Sequence, residues 1–493
     1  MRIDHHKQRP SPGVRPSNHL WLACLIVAPF LLALPGCLSY HPEPLTSAAV
    51  DAKLSVPSDR VLNDRLNAIG KPLRRGIEIN GQDGLSPDEA ALLAVLVNPS
   101  LRLERDKRGI ARAQLLQARL LPNPQLSYAF ETPAGGSTTG ATNAFGFGLK
   151  WEVTTLISRA ARIDAATQNS KGMDLSVAWK EWQVAQTART ALYQLIALNR
   201  MVDLAATMVQ RLSENFNVMR EASTKGLVTG LDFTAAEAAR NQSYNNLLQL
   251  RQQQTQQQLT LRRALGVPAS AAMAPQSEIV LPDHITIPPV DQLTEEVGQR
   301  RFDLLALRRG YESQEAVLRV AVLKQFPKIS IGFNHARDNG NIYGVGFGVS
   351  IDLPLFDRNQ GRIALATATR QQLFDEYVNR TFEARSDIAK LAANIHSLNE
   401  RIRALQAAIP PLRTLVETYR VAVDQGQADV LNFYIVWNRL TTQRIALLSL
   451  KQRLIENRIA LELAAGLQCI GRAGKDLTDC LPTTLISERT TKP

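Results

Sequence analysis

Two hydrophobic periodicities alternate along this chain. From Val184 apolar residues recur in steps of four and three through Ala188, Ala191, Leu195, Leu198, Val202, Ala205, Val209, Leu212 and Phe216 to Met219. That spacing is a coiled-coil seam and predicts one helix from about Thr154 to Ser223. At 1.5 Å per residue such a helix is roughly 105 Å long, several times the width of a compact domain. Elsewhere the period is two. Leu126, Tyr128 and Phe130 alternate with Gln125, Ser127, Ala129 and Glu131, and Phe145, Phe147, Leu149, Trp151 and Val153 alternate with Gly146, Gly148, Lys150 and Glu152. Ile329, Ile331 and Phe333, then Val345, Phe347, Val349, Ile351 and Leu353, repeat the theme. These runs predict strands at about 124–131, 143–153, 327–334 and 342–353, each with one apolar face, and the second of each pair has the length of a tilted transmembrane β-strand.

The chain is written twice. Residues 98–130 align without gaps on 301–333, pairing Leu101 with Leu304, Arg105 with Arg308, Pro124 with Pro327 and Phe130 with Phe333. Farther on the offset becomes 200: Gly146-Phe147-Gly148 matches Gly346-Phe347-Gly348, Gly226 matches Gly426, Phe233 matches Phe433 and Gly266 matches Gly466. The organisation read from this is a signal at 1–36, a linker at 37–85, repeats at 86–267 and 289–467 joined by a Pro-rich linker at 268–288, and a tail at 468–493. Each repeat reads helix, strand, loop, strand, very long helix, tight turn, long helix. The loops joining the strand pairs, Ala134–Thr142 and His335–Asn341, are rich in Gly, Thr, Asn and Asp and are expected outside the cell. Pro410-Pro411 is expected to interrupt the second long helix, because interior prolines remove backbone hydrogen bonds.

Composition narrows the class. Hydrophobic residues make up 45% and charged residues 21% of 493 residues, which suits neither a disordered polyelectrolyte nor a bundle of membrane helices. The formal charge of +12 falls to +9 without the first 36 residues, which carry four basic residues and one acidic one. Basic runs interleaved with aromatics are absent, so nucleic acid is not an expected partner. From Leu20 to Pro35 the chain is apolar behind a basic stretch, a secretory signal. Leu34-Pro35-Gly36-Cys37 resembles a bacterial lipobox, which makes Cys37 the expected acylated first residue of the mature protein, an ordinary signal with an incidental Cys being the alternative, and Leu38 favours the outer membrane. Cys469 and Cys480 remain; the oxidising periplasm permits a disulfide, and two free thiols are the alternative. His41, His284, His335 and His396 are scattered, and no HExxH, GxxxxGK[ST] or GxGxxG occurs. Neither an enzyme, nor a cofactor, nor a fixed metal site is expected.

Four strands cannot close a barrel, and open sheet edges are not tolerated in lipid, so several subunits are required. Here the chain resembles the TolC-type outer-membrane factor family over about 86–467. The shared features are the duplication, Asn98-Pro99-Ser100-Leu101, Leu353-Pro354-Leu355-Phe356-Asp357, and the turns Gly226 to Phe233 and Gly426 to Phe433. Leu353 to Gly361 looks most like the CzcC-like branch that works with heavy-metal RND pumps. The resemblance implies a mainly α fold with a small transmembrane β part: duplicated coiled-coil hairpins plus four strands per chain, in a homotrimer with a twelve-stranded barrel on an α-helical barrel. It implies a passive exit duct in outer-membrane lipid, served by a periplasmic adaptor and an inner-membrane RND pump, with heavy-metal cations as expected cargo and drug efflux or type I secretion as the alternative. A periplasmic adaptor or coiled-coil scaffold is the reading of another class; two hairpins and four amphipathic strands argue against it. Asp429-Val430-Leu431-Asn432 resembles the Asp-Val-Leu-Asp stretch that narrows the entrance in relatives. Asp429 is thus the expected pore-facing carboxylate, joined by Asp232 or Asp424, in a ring that favours cations. Helix capping by Asp232 and Asn432 is the alternative.

Overall fold

The computed structural model describes residues 40–69, 83–137, 139–425, 427–467 and 477. Cys37, Gly426, Cys469, Cys480 and the side chain of Asp424 lie outside the described residues. The chain divides into two units, 1–53 and 54–493. In the first, residues 40–53 are described, and α1 (Ser47–Leu54) at its end has no buried residue.

The second unit holds the duplication. α2 (Asp59–Ile69) precedes the first copy, which comprises α3 (Pro87–Val97), α4 (Pro99–Arg119), β1 (Gln125–Glu131), β2 (Ala144–Glu152), α5 (Thr155–Thr224) and α6 (Gly230–Leu265). The second comprises α7 (Val290–Glu295), α8 (Val297–Arg300), α9 (Phe302–Leu323), β3 (Lys328–Arg337), β4 (Tyr343–Asp352), α10 (Gln360–Asp424) and α11 (Val430–Ala464). The fold is the expected one, mainly helical with four strands. A capping box starts α3: the Ser86 amide donates to Glu89 Oε2 at 2.7 Å and the Glu89 amide to Ser86 Oγ at 3.2 Å.

The four strands form one antiparallel sheet in the order β1-β2-β3-β4, so the β2–β3 pairing joins the two copies. Pairs such as Tyr128↔Phe147, Leu149↔Phe333 and Phe333↔Phe347 stack the predicted apolar residues on one face, where Leu126 and Phe347 are more than 70% exposed. The other face is small and polar. Asn334 Oδ1 and Ser127 Oγ occupy the places where a side chain on Gly346 or Gly148 would stand. β3 runs three residues past the predicted end. His335 pairs with Val345 and Arg337 with Tyr343, because continued pairing satisfies backbone groups that a loop would leave to water. The second loop therefore shrinks from His335–Asn341 to a turn in which Asp338 Oδ1 accepts the Ile342 amide and Asn341 takes φ 64°.

α5 has 70 residues and α10 has 65. Contrary to expectation, α10 runs through Pro410-Pro411 without a break. Both prolines are exposed, so water satisfies the carbonyls of Gln406 and Ala407 that lose their amide partners.

The hydrophobic core concentrates where the short and long helices meet. In the first copy Leu92, Leu93, Leu192, Leu195, Leu261 and Leu265 pack together with Leu62; in the second, Leu293, Leu304, Ile388, Ile395, Leu454 and Leu461 pack together with Leu477. The two copies build the same joint from different side chains. Asn98 Nδ2 donates to the Ala264 carbonyl at 2.9 Å, and Arg301 Nη1 donates to the Ala464 carbonyl at 3.3 Å. Gly266 (φ 78°) and Gly466 (φ 69°) end the return helices, and a Cβ on Gly266 would stand 2.5 Å from Asn98 Cα.

A buried charge network locks the copies together. Glu462 of α11, fully buried, accepts from Arg189 of α5 at 2.7 Å and from Arg458 at 3.1 Å, while Gln186 Nε2 donates to it at 3.3 Å and Asp88 lies 3.6 Å from Arg189. Burial works against the Arg189 guanidinium, but Glu462 and then Asp88 outweigh it, and its pKa lies above the usual arginine value. Replacing Glu462 by Ala removes the carboxylate shared by two buried guanidinium groups. The expected cost is about 3–5 kcal/mol, measured as a large fall in the melting temperature of the helical circular-dichroism signal, whereas an unchanged transition would mean that the network adds nothing.

Candidate functional site: the hairpin tips

The far ends of the two helical hairpins carry the predicted site residues. At the first tip α5 closes with Gly226 at φ 71°, where the Leu227 amide reaches back to the Ala222 carbonyl at 2.9 Å. That is a left-handed helix stop, which favours glycine. Thr229 is the N-cap of α6: its hydroxyl accepts the Asp232 amide at 3.2 Å and donates to Asp232 Oδ2 at 2.6 Å. The cap is Thr229, and Asp232 stands three residues in, where its carboxylate completes the box. The alternative reading had placed the cap on Asp232. The Thr-x-x-Asp spacing is a visible variant of the capping box and could have been found in the sequence.

The second tip repeats the geometry. The Gln427 amide reaches the Ala422 carbonyl at 2.8 Å, as Leu227 does to Ala222. Asp429 precedes the first residue of α11, Val430, as Thr229 precedes Gly230, and its carbonyl accepts the Phe433 amide as that of Thr229 accepts the Phe233 amide. Asn432 Nδ2 donates to Asp429 Oδ2 at 3.4 Å. Asp429 therefore occupies the cap place, three positions before the Asn432 assignment. It is exposed, whereas Asp232 is half-buried. Asp232 lines a small cleft with Leu212 and Met219 of α5 and with Val430 and Tyr434 of α11. The two carboxylates thus belong to adjacent tips but face different surroundings.

Each tip carries its own aromatic cluster, which sequence reasoning missed. Phe216 and Phe233 lie 5.3 Å apart with the Arg240 guanidinium 4.0 Å above Phe216, and Phe433 contacts Tyr434 at 5.0 Å and Trp437 at 5.2 Å. The run of aromatics at 433, 434 and 437 was the available signal. Burial, and then Glu214, push the Tyr434 hydroxyl above its usual pKa, with Arg211 opposing. Among the described residues no group of three or more His, Cys, Asp or Glu is placed to hold a metal ion. No described helix is long and apolar enough to cross a membrane.

Comparison with known proteins adds the rest. The sequence model of the outer membrane efflux protein family matches residues 93–267 and 293–467. The chain is 24% identical over 299 residues to the cobalt-zinc-cadmium resistance protein CzcC of Cupriavidus metallidurans, covering 59% of this chain and 68% of that protein. It is 24% identical over 272 residues to the cation efflux system protein CusC of Escherichia coli K12, covering 52% of this chain and 55% of that one. Among solved structures, CusC superimposes with a TM-score of 0.65 at 19% identity over 80% of this chain and 96% of that chain. The Campylobacter jejuni CmeC outer membrane channel gives 0.66 at 14% identity over 90% and 96%. With one matched segment on each half of the duplication, together spanning well over half of its residues, the chain belongs to the outer membrane efflux protein family, the TolC-type outer-membrane factors.

Proposed function

We propose that three copies of this chain form a passive duct through which heavy-metal cations, delivered by an RND pump through a periplasmic adaptor, leave across the periplasm and outer membrane. The observation that carries this reading is an interface the chain makes once and leaves half-made a second time. α9 packs between α5 and α10, so a short helix of copy two sits between the long helices of the two copies. There Ser313 Oγ donates to the Ala165 carbonyl at 2.8 Å, and a Cβ on Gly172 would stand 3.3 Å from Arg309 Cβ. α4 is the repeat equivalent of α9, and it packs on α5 alone among the long helices. The duplication supplies its missing partner, the equivalent of α5, which is α10 of a neighbouring subunit.

The offsets convert this into residues. Ser313 against Ala165 becomes Ile110 against Leu365 of the partner subunit, and these apolar side chains are 60% and 68% exposed. The sheet points the same way, since β1 and β4 each have one unpaired edge. Three such sheets close a twelve-stranded barrel, an allowed size for a transmembrane barrel. Cation cargo is supported by the names of CzcC and CusC and by the exposed Asp429 at the tip. The energy comes from the pump, and the chain itself catalyses nothing. The signal at 1–36 is removed, and Cys37 carries lipid at the head of the 37–85 linker.

Three measurements test this reading. Ile110→Cys combined with Leu365→Cys is expected to give disulfide-linked trimers on non-reducing gels, with neither single variant cross-linking; double-variant monomers under oxidation contradict the proposed packing. In planar bilayers Asp429→Ala is expected to raise conductance or weaken cation selectivity, with trimers intact, and wild-type values for both would remove Asp429 from the constriction. Cys37→Ser is expected to lose acyl labelling and to leave the signal uncleaved, so normal processing in that variant would refute the lipobox.

A further inference from the structure

We propose that each chain carries, at the loop end of its sheet, a site for the phosphate of an anionic lipid headgroup in the outer leaflet, built from Arg337 and His335. The proposal rests on the sheet being the lipid-facing wall of a barrel, as argued above. It begins from one exception. On the apolar face of β1 to β4 the described side chains are aliphatic or aromatic until the last two positions of β3, which are His335 and Arg337. Arg337 is the one permanently charged residue on that face among the described residues. A charge on the lipid face is costly at mid-bilayer and close to neutral at the interface, so Arg337 fixes the depth of this end at the headgroups.

The local geometry holds the guanidinium there. Its Nε and Nη2 donate to the Asn143 carbonyl at 3.2 and 2.6 Å, and its carbon lies 5.1 Å from the centre of the Phe145 ring. One edge of the fork is thus fixed on the protein, and Nη1 lies on the other edge. The His335 ring stacks on Tyr343 at 6.2 Å and meets Phe145 edge-on at 6.3 Å, one pleat closer to the membrane centre. The neighbouring carboxylate, Asp338, turns into the loop, where its Oδ1 accepts the Ile342 amide. The result is a planar cation and an imidazole donor on a bed of aromatic rings, the kind of surface that suits a phosphate carried on acyl chains.

The opposite end of the same face supports one leaflet over two. There Trp151, paired with Ile331, donates Nε1–H to the Pro122 carbonyl at 2.8 Å, and Ile329 and Ile351 pair next along the face, which carries no cation at that end among the described residues. The occupant is a lipid rather than free phosphate because the site opens onto Phe145, Val345 and Tyr343, a surface that a bilayer-anchored molecule covers without exposing apolar area.

The test uses the full-length trimer reconstituted in nanodiscs of phosphatidylcholine with and without diphosphoryl lipid A. Lipid retained through detergent extraction is counted by native mass spectrometry, and channel conductance is recorded in parallel. The wild type is expected to retain up to three lipid A molecules per trimer, and Arg337→Gln to weaken retention about tenfold, the scale of one charged hydrogen bond. His335→Gln is expected to weaken it less, and Arg337→Lys to restore part of it, with trimers and conductance unchanged in all three. Equal retention by wild type and Arg337→Gln would overturn the site, as would displacement of lipid A by millimolar inorganic phosphate. Loss of trimers and conductance in the wild type itself would instead strike the barrel reading.

Discussion

An unpaired strand edge in hydrocarbon is the constraint on which the rest of this molecule depends. One chain supplies four strands with an apolar outer face and therefore two rows of unpaired backbone groups, on β1 and on β4. Each unsatisfied group in lipid costs several kcal/mol. No side-chain change within a single chain removes that cost, but a neighbouring copy does. The duplication is the economical answer, because a strand pair followed by a helical hairpin is written twice and β2–β3 pairing already shows how one pair docks on the next. In the proposed trimer, what holds the two copies together inside a chain is then the template for what holds chains together.

Stability is distributed unevenly along the hairpins. Around the joint of short and long helices, leucines, left-handed glycines and the Arg189–Glu462–Arg458 network fix the copies to each other. Buried ion networks of this kind are poor sources of net stability but severe punishers of misregister, since a slip of either helix leaves charges unpaired in the interior. Toward the tips, ring contacts stay within each copy, Phe216 with Phe233 and Phe433 with Trp437, beside exposed leucines such as Leu227 and Leu231. A duct built this way has its register set at one level and its freedom at another. One tip can then move against the other without unpairing the buried charges.

Much of this was legible in the sequence because it obeys simple periods. Steps of four and three gave α5 to within a residue at each end, and alternation gave the strands, since both patterns record which side faces the seam or the lipid. The failures lie where local rules compete with context. β3 extended through His335 and Arg337 because pairing with β4 outweighed their polarity. α10 survived Pro410-Pro411 because both sit on an exposed face. Contacts between elements far apart in the chain, such as Arg189 with Glu462, leave no periodic trace. The caps at the tips were misplaced by three residues, although Thr229-x-x-Asp232 spelled the answer.

That pair of caps shows how a duplicated scaffold acquires a functional difference without losing its fold. The first tip reads Thr229 and Asp232, the second Asp429 and Asn432. In both, a hydrogen-bonding side chain precedes the helix and a second one stands three residues in, joined by a contact between them at 2.6 or 3.4 Å. Capping tolerates either order, because Thr and Asp both accept from backbone amides. What changes is where the negative charge sits. In the first copy it lies half-buried in the cleft between hairpins, and in the second it is exposed at the start of α11. A carboxylate moved by three residues keeps a side-chain contact across the start of the helix and alters the electrostatics of the tip. In the proposed trimer, the cost to folding is small and the change in field is counted three times.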